Sequence, residues 1–330
     1  MPDAVLTLEN VVKRFGGFKA VDDVSFSVEQ GEIFGFLGPN GAGKTTTLRM
    51  ILDIIQPTDG TIEILGSPSA IPVRHRIGYL PEERGLYRKM RAAETIAYFA
   101  RLRGVPGGEA KKRAFDLLER FGLKKFARSK NEALSKGMAQ KVQLLATIAH
   151  DPEFLILDEP FSGLDPINQA TLEELIADLK AEGRTIIFST HVMEHAERLC
   201  DRFLILSNAR KKFEGTLEEA RASLPPRILI KTADPIDALR AAPGVIHISE
   251  RKKRSGQGVE DSATAPSGAQ KEFIIELAQG ADPQRVLQTA LANGVTLTKF
   301  EQGGASLHDI FVAIAGEDPE TASLAPGEAA

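Results

Sequence analysis

The chain opens on strand-like alternation. Leu6 and Leu8 alternate with Thr7 and Glu9, and Val24, Phe26 and Val28 alternate with Ser25 and Ser27, the period-two pattern of half-buried antiparallel strands. Glu32-Ile33-Phe34-Gly35-Phe36-Leu37 reads as a buried strand entering a Gly-rich stretch. Leu48, Ile51, Leu52 and Ile55 then recur at i, i+3, i+4 and i+7, which predicts an amphipathic helix leaving it. A turn at Pro57-Thr58-Asp59-Gly60 leads to a strand over 61–65, and Ile77-Gly78-Tyr79-Leu80 suits a central strand. From 92 to 150 the texture is helical, with helices over 93–103, 110–121 and from 137 onward. Apolar strands resume at 154–157, 185–188 and 203–206. The pattern predicts an α/β fold with a parallel core sheet, an antiparallel β part and a helical insert.

Past Leu224-Pro225-Pro226 the order becomes strand (228–231), helix (235–241), strand (245–248), strand (273–277), helix (282–292) and strand (295–300). That is the βαβ-βαβ order of a small ferredoxin-like α+β domain. The expected domains are therefore 1–220, with a helical subdomain at about 92–150, and 226–315. The connection at 251–271, rich in Gly, Ser and Thr after Lys-Lys-Arg, reads as a mobile loop, and 316–330 as a disordered tail. A length of 330 residues accommodates two cores. The net charge of −4 exerts no global pull on nucleic acid or anionic lipid, and the single cysteine excludes an internal disulfide. No apolar stretch approaches the length of a membrane span, and the first residues lack the pattern of a secretory leader.

The chemistry concentrates in the Gly-rich stretch. Gly38-Pro39-Asn40-Gly41-Ala42-Gly43-Lys44-Thr45 fits G-x-x-x-x-G-K-[ST] between a strand and a helix. Glycines let successive backbone N–H groups close around a polyanion. Lys44 can reach the β- and γ-phosphates, the Thr45 hydroxyl is placed to hold Mg²⁺, and Thr46 extends the contact. Nucleotide binding is thus implied by the loop itself. Phe154-Leu155-Ile156-Leu157-Asp158-Glu159-Pro160 is an apolar strand ending in two carboxylates. Asp158 suits Mg²⁺, directly or through water, and Glu159 suits a general base for the attacking water. His191 ends the next strand in Phe188-Ser189-Thr190-His191, at the edge where α/β sheets bind ligands, and could hold that water in line. Ser135, in Leu134-Ser135-Lys136-Gly137-Met138, is a good N-cap, and Gly137 permits close approach of an anion to the helix start.

With these residues assembled, residues 4–218 resemble the ATP-binding subunit of an ABC transporter, every motif in order. Residues 38–45 are similar to the Walker A motif, 154–159 to Walker B, 162–166 with Asp165 to the D-loop, and His191 to the switch histidine. Residues 134–138 resemble the family signature, with Lys136 and Met138 in place of Gly and Gln. Phe15 occupies the place of the aromatic that stacks on adenine. Glu82 stands where the family usually has a Gln that contacts Mg²⁺ and water. The resemblance implies ATP and Mg²⁺ as ligands and a head-to-tail dimer, with like or unlike ATP-binding subunits. In that dimer Ser135 and Gly137 of one chain would cover the γ-phosphate held by the other. It also implies a separate transmembrane permease, met by residues 86–105, a cytoplasmic place on the inner membrane face, and no nucleic-acid partner. Ser306-Leu307-His308-Asp309-Ile310-Phe311 resembles the tail of the sodium- and drug-export branch, so export is the expected direction. Two other readings remain: a soluble ATPase of this type acting on ribosomes or nucleic acid, and a C-terminal domain that senses a small molecule.

Overall fold

A computed structural model describes residues 4–83, 85–250, 270–302 and 305–316. The loop expected at 251–271 and the tail expected at 316–330 lie, but for their end residues, outside this set. The chain divides into two compact units, Met1–Leu217 with Phe311–Ala330, and Glu218–Ile310.

The first unit begins with β1 (Ala4–Phe15), β2 (Phe18–Glu29), β3 (Ile33–Leu37), α1 (Lys44–Ile51), β4 (Asp59–Ile64), α2 (Ala70–Val73) and β5 (Ile77–Leu80). The helical block follows as α3 (Ala92–Leu102), α4 (Gly107–Arg120) and α5 (Lys136–Ile148). The core then resumes with β6 (Phe154–Asp158), α6 (Pro166–Ala181), β7 (Thr185–Thr190), α7 (Met193–Leu199), β8 (Arg202–Ser207) and β9 (Arg210–Gly215). β1 pairs antiparallel with β2, Leu6 opposite Val28 and Leu8 opposite Phe26, and with β4 on its other edge. The alternation read from the sequence thus faces one core, which these strands share with Phe34, Phe36 and Leu48.

The central sheet runs β5-β6-β7-β3-β8-β9, parallel except for the last pair. Every residue of β3, β6 and β7 is buried, as expected of parallel strands covered on both faces. Register sets the strand ends level: Leu37 lies beside Thr190, and Asp158 beside Ser189. Gly38, Glu159 and His191 therefore emerge at one edge of the sheet, the ligand-binding edge of α/β folds.

Among the elements that differ from expectation are α1 and β9. The first helix stops at Ile51, because Asp53 turns into the left-handed region (φ 58°). Ile54 N–H bonds back to the Arg49 carbonyl at 2.9 Å, and Ile55 reaches the core from this turn rather than from a helix face. β9, rich in cations, has no counterpart in the apolar pattern. It pairs with β8 through a two-residue turn, Asn208-Ala209, both at positive φ (51° and 63°).

After α8 (Leu217–Ala222) the second unit carries β10 (Arg227–Thr232), α9 (Asp237–Arg240), β11 (Val245–Glu250), β12 (Lys271–Leu277), α10 (Gln284–Ala292) and β13 (Leu297–Gln302), and α11 (Leu307–Ala315) closes the described order. Its sheet order is β11-β12-β10-β13 with every pair antiparallel, a ferredoxin-like arrangement around Ile228, Ile230, Ile275 and Leu277.

At the end of α5, His150 Nε2 donates to the Ile77 carbonyl at 3.0 Å and ties the helix to β5. Burial pushes its pKa down to about 4, the carbonyl bond opposing. The unfolded chain takes up a proton near 6.5 and the folded chain only near 4. The neutral ring's contribution is therefore complete above pH 6.5 and is lost as pH falls from 6.5 toward 4. Discounted for partial exposure, about 2 kcal/mol should disappear across that window. Urea midpoints at pH 7.5 and 5 should fall less for His150→Gln, which keeps a donor toward Ile77 and cannot titrate; equal falls would refute the assignment.

Candidate nucleotide site

Two glycines shape the loop between β3 and α1. A Cβ on Gly38 would fall 2.3 Å from the Leu206 carbonyl oxygen, and Gly43 holds φ 103° with the Ala20 carbonyl oxygen 2.4 Å from where its Cβ would be. No other residue fits either place without moving backbone. Asn40 and Gly41 form the exposed crest, Pro39 and Ala42 are buried, and Ala42 N–H donates to the Pro39 carbonyl at 3.2 Å. Thr46 is half-buried in the first turn of α1.

Lys44 is 5% exposed. Its Nζ donates to the carbonyls of Gly38 (2.7 Å) and Pro39 (3.2 Å) and stands 3.3 Å from Glu159 Oε1. The last contact is an ion pair whose angle does not make a hydrogen bond. Glu159 sits just past β6 at φ 46°, a left-handed conformation costly for a residue with a Cβ. Its other oxygen, Oε2, accepts from His191 Nδ1 at 3.0 Å. That bond raises the His191 pKa above its ordinary value, against the opposing effect of burial.

Asp158 is 1% exposed. Its Oδ1 accepts from Ser189 Oγ (2.5 Å) and Thr45 Oγ1 (3.4 Å), and Oδ2 is buried without a hydrogen-bond partner among the described residues. Burial raises its carboxyl, and the Ser189 and Thr45 bonds act in the opposite direction. Ser189 Oγ also accepts the Glu159 backbone N–H at 2.9 Å, so one hydroxyl holds the Asp158 carboxylate and the backbone of Glu159. The motifs gave no reason to single out Ser189; only the register of β6 against β7 does. Glu82 belongs to the same cluster: partial burial, then the charges of Asp158 and Glu159, raise its carboxyl, while Lys44 and His191 oppose. Thr45, Asp158 and Glu82 offer oxygen only, and the orphaned Asp158 oxygen is what a hard cation such as Mg²⁺ would take up.

The structure thus brings Lys44, Thr45, Asp158, Glu159, His191 and Glu82 together. Ser135, Gly137 and Asp165 form a separate group. Ser135 caps α5, its Oγ accepting the Met138 N–H at 3.3 Å. Asp165 caps α6, accepting Asn168 N–H at 3.0 Å and Asn168 Nδ2 at 2.6 Å. Gly137 lies flush on Asn168, where a Cβ would come within 2.5 Å of the side chain. Phe15, on the antiparallel sheet, leaves its ring 52% exposed, with Lys13 Nζ 5.0 Å above the ring centre. It does not pack into the core and can offer a face to a flat ligand.

A family model described as "ABC transporter" matches residues 21–162, and one described as "ATP-binding protein DrrA1-3-like, C-terminal domain" matches residues 215–315. The uncharacterized ABC transporter ATP-binding protein YhaQ of Bacillus subtilis is 39% identical over 93% of this chain and 97% of its own. The chain belongs to the ABC transporter ATP-binding proteins. Nod factor export ATP-binding protein I of Ralstonia nicotianae is 33% identical over 95% of the chain and 94% of its own. The solved ATP-binding subunit of an ABC transporter superposes with a TM-score of 0.61 at 36% identity, covering 66% of this chain and 92% of that one. As a member of this family the chain is an ATP-binding, ATP-hydrolysing protein. No helix among the described residues is long and apolar enough to cross a membrane.

Proposed function

We propose that this ABC ATPase is the engine of an exporter: two copies, or one copy and a related subunit, close head-to-tail around two ATP molecules and drive a separate transmembrane permease from the inner membrane face. The observation that carries the reading is the convergence of Lys44, Glu159 and His191 at one sheet edge, with Lys44 3.3 Å and His191 3.0 Å from the Glu159 carboxylate. Residues 38–46 bind the phosphates, with Lys44 on the γ-phosphate, and Phe15 stacks on the base. Glu159 takes the proton of the attacking water as its oxygen bonds to the γ-phosphorus and the bond to the bridging oxygen breaks. His191 orients that water and the γ-phosphate. Thr45, Asp158 and Glu82 hold Mg²⁺, which supplies charge neutralisation for the phosphates. Ser135, Gly137 and Asp165 serve the partner's nucleotide, so a lone chain lacks half of each site. Export as the direction is supported by the relative named for Nod factor export.

Mixing two inactive variants tests the shared sites. Lys44→Ala damages a site from one side and Ser135→Arg from the other, so each alone should hydrolyse almost nothing. In a mixed dimer both lesions fall in one site and the second site is intact. An equal mixture should therefore recover about a quarter of native turnover if the sites act independently. Native turnover by Ser135→Arg alone would show that each chain acts alone. Reconstitution with the co-purified permease then reads direction, as substrate moving away from the ATP-exposed side.

A further inference from the structure

The net charge of −4 conceals a strong separation. Residues 92–150, the helical block, hold 12 Lys and Arg against 5 Asp and Glu, a net of +7, which leaves −11 on the rest of the chain. Several of these cations are neutralised locally: Arg113 pairs with Glu109, Arg120 with Asp178 and Glu182, and Lys124 with Glu119. Around one groove, three of four are not. The groove, 600 Å³, lies along α3 and the first half of α4 and is walled by Tyr98 and Phe115. Arg91, Arg101, Lys111 and Arg128 surround it. Its one carboxylate, Glu94, stands 3.9 Å from Arg91. Arg101, Lys111 and Arg128 are exposed and make no side-chain hydrogen bond or ion pair among the described residues. Beside them α3 exposes Tyr98 and, at 61%, Leu102.

Uncompensated cations around an apolar floor, with tyrosine and leucine at the rim, are the chemistry of a membrane–water interface. Cytoplasmic loops of membrane proteins carry excess Lys and Arg, so they offer this face no complementary charge, whereas anionic headgroups do. We propose that the α3–α4 face docks directly on an anionic phospholipid leaflet, the groove of Arg101, Lys111 and Arg128 taking headgroup phosphates. The inference rests on the permease reading insofar as that places the chain beside a leaflet. Lipid contact would orient the ATPase at the bilayer and supply affinity for it independently of the permease.

The test uses the full chain without permease, sedimented with vesicles of phosphatidylcholine alone or with about one third phosphatidylglycerol. Binding is expected only to the anionic vesicles and should vanish at about 0.5 M salt. The triple variant Arg101→Gln, Lys111→Gln, Arg128→Gln should bind about a hundredfold more weakly, at roughly fivefold per cation, with ATP hydrolysis unchanged. The charge-keeping set Arg101→Lys, Lys111→Arg, Arg128→Lys should retain binding. Absence of anionic-vesicle binding, or equal binding by the triple variant, overturns the proposal. Binding to polyglutamate or duplex DNA but not to vesicles overturns it in favour of an acidic protein or nucleic acid. None of these failures touches the mixed-variant test or the reconstitution with permease, so the two readings fail separately.

Discussion

Glu159→Gln should lower ATP hydrolysis by about a thousandfold while leaving ATP affinity within a fewfold of native, and the variant should accumulate as an ATP-bound dimer. The reasoning starts from the environment. The Glu159 carboxylate is 6% exposed, 3.3 Å from the Lys44 ammonium and 3.0 Å from His191 Nδ1. Gln has the same shape and keeps an oxygen for His191, so the site stays built. It cannot take a proton, and a missing general base costs about 10²–10⁴ in rate. Nor does the left-handed backbone distinguish the two side chains, since both carry a Cβ and meet the same cost at φ 46°. Steady-state turnover and light scattering with ATP and Mg²⁺ check both halves. Native turnover in the variant would remove Glu159 from the chemistry.

The second large effect is on binding. Lys44→Ala should weaken ATP by about 10²–10⁴-fold, the loss of two charge-assisted contacts to phosphate oxygens at about 1.5–3 kcal/mol each. Adenosine, which lacks phosphates, should bind native and variant alike, because its proposed contact is the exposed face of Phe15. Comparing the two ligands separates a lost phosphate contact from a loop that no longer folds. That distinction matters here, because Lys44 also bonds the Gly38 and Pro39 carbonyls of its own loop. A fall of less than about fivefold in ATP affinity would move the phosphate site elsewhere. An equal fall for adenosine would mark the change as structural.

Much of this was readable along the chain, for reasons that can be named. Buried parallel strands carry no polar alternation, so β3, β6 and β7 stand out as apolar runs. The phosphate loop is legible because its chemistry is local: eight consecutive residues hold the glycines, the lysine and the hydroxyl. Ser189 was hidden because its role comes from a neighbour 31 positions away, reached only when β7 sets it level with Asp158. β9 was hidden because a cationic edge strand has little to bury, and because Ala209 occupies a turn position that glycine usually marks. The early end of α1 was hidden because Ile55 keeps helical spacing while reaching the core from a turn. Periodicity reports which residues face the core, and two backbone paths can deliver the same face.

One contact has a mechanical meaning. Gly137, at the start of α5, rests on Asn168 with no room for a methyl group, and Asn168 is held by Asp165 at the start of α6. α5 carries α3 on its flank, and α6 follows Glu159 by only a short segment of chain. A push on the helical block that loads this point of α5 would bear on Asn168 and, through Asp165, on the start of α6. Only residues 160–164 separate that cap from Glu159. The bare backbone of Gly137 is then a bearing surface, and a side chain there would hold the two helices apart.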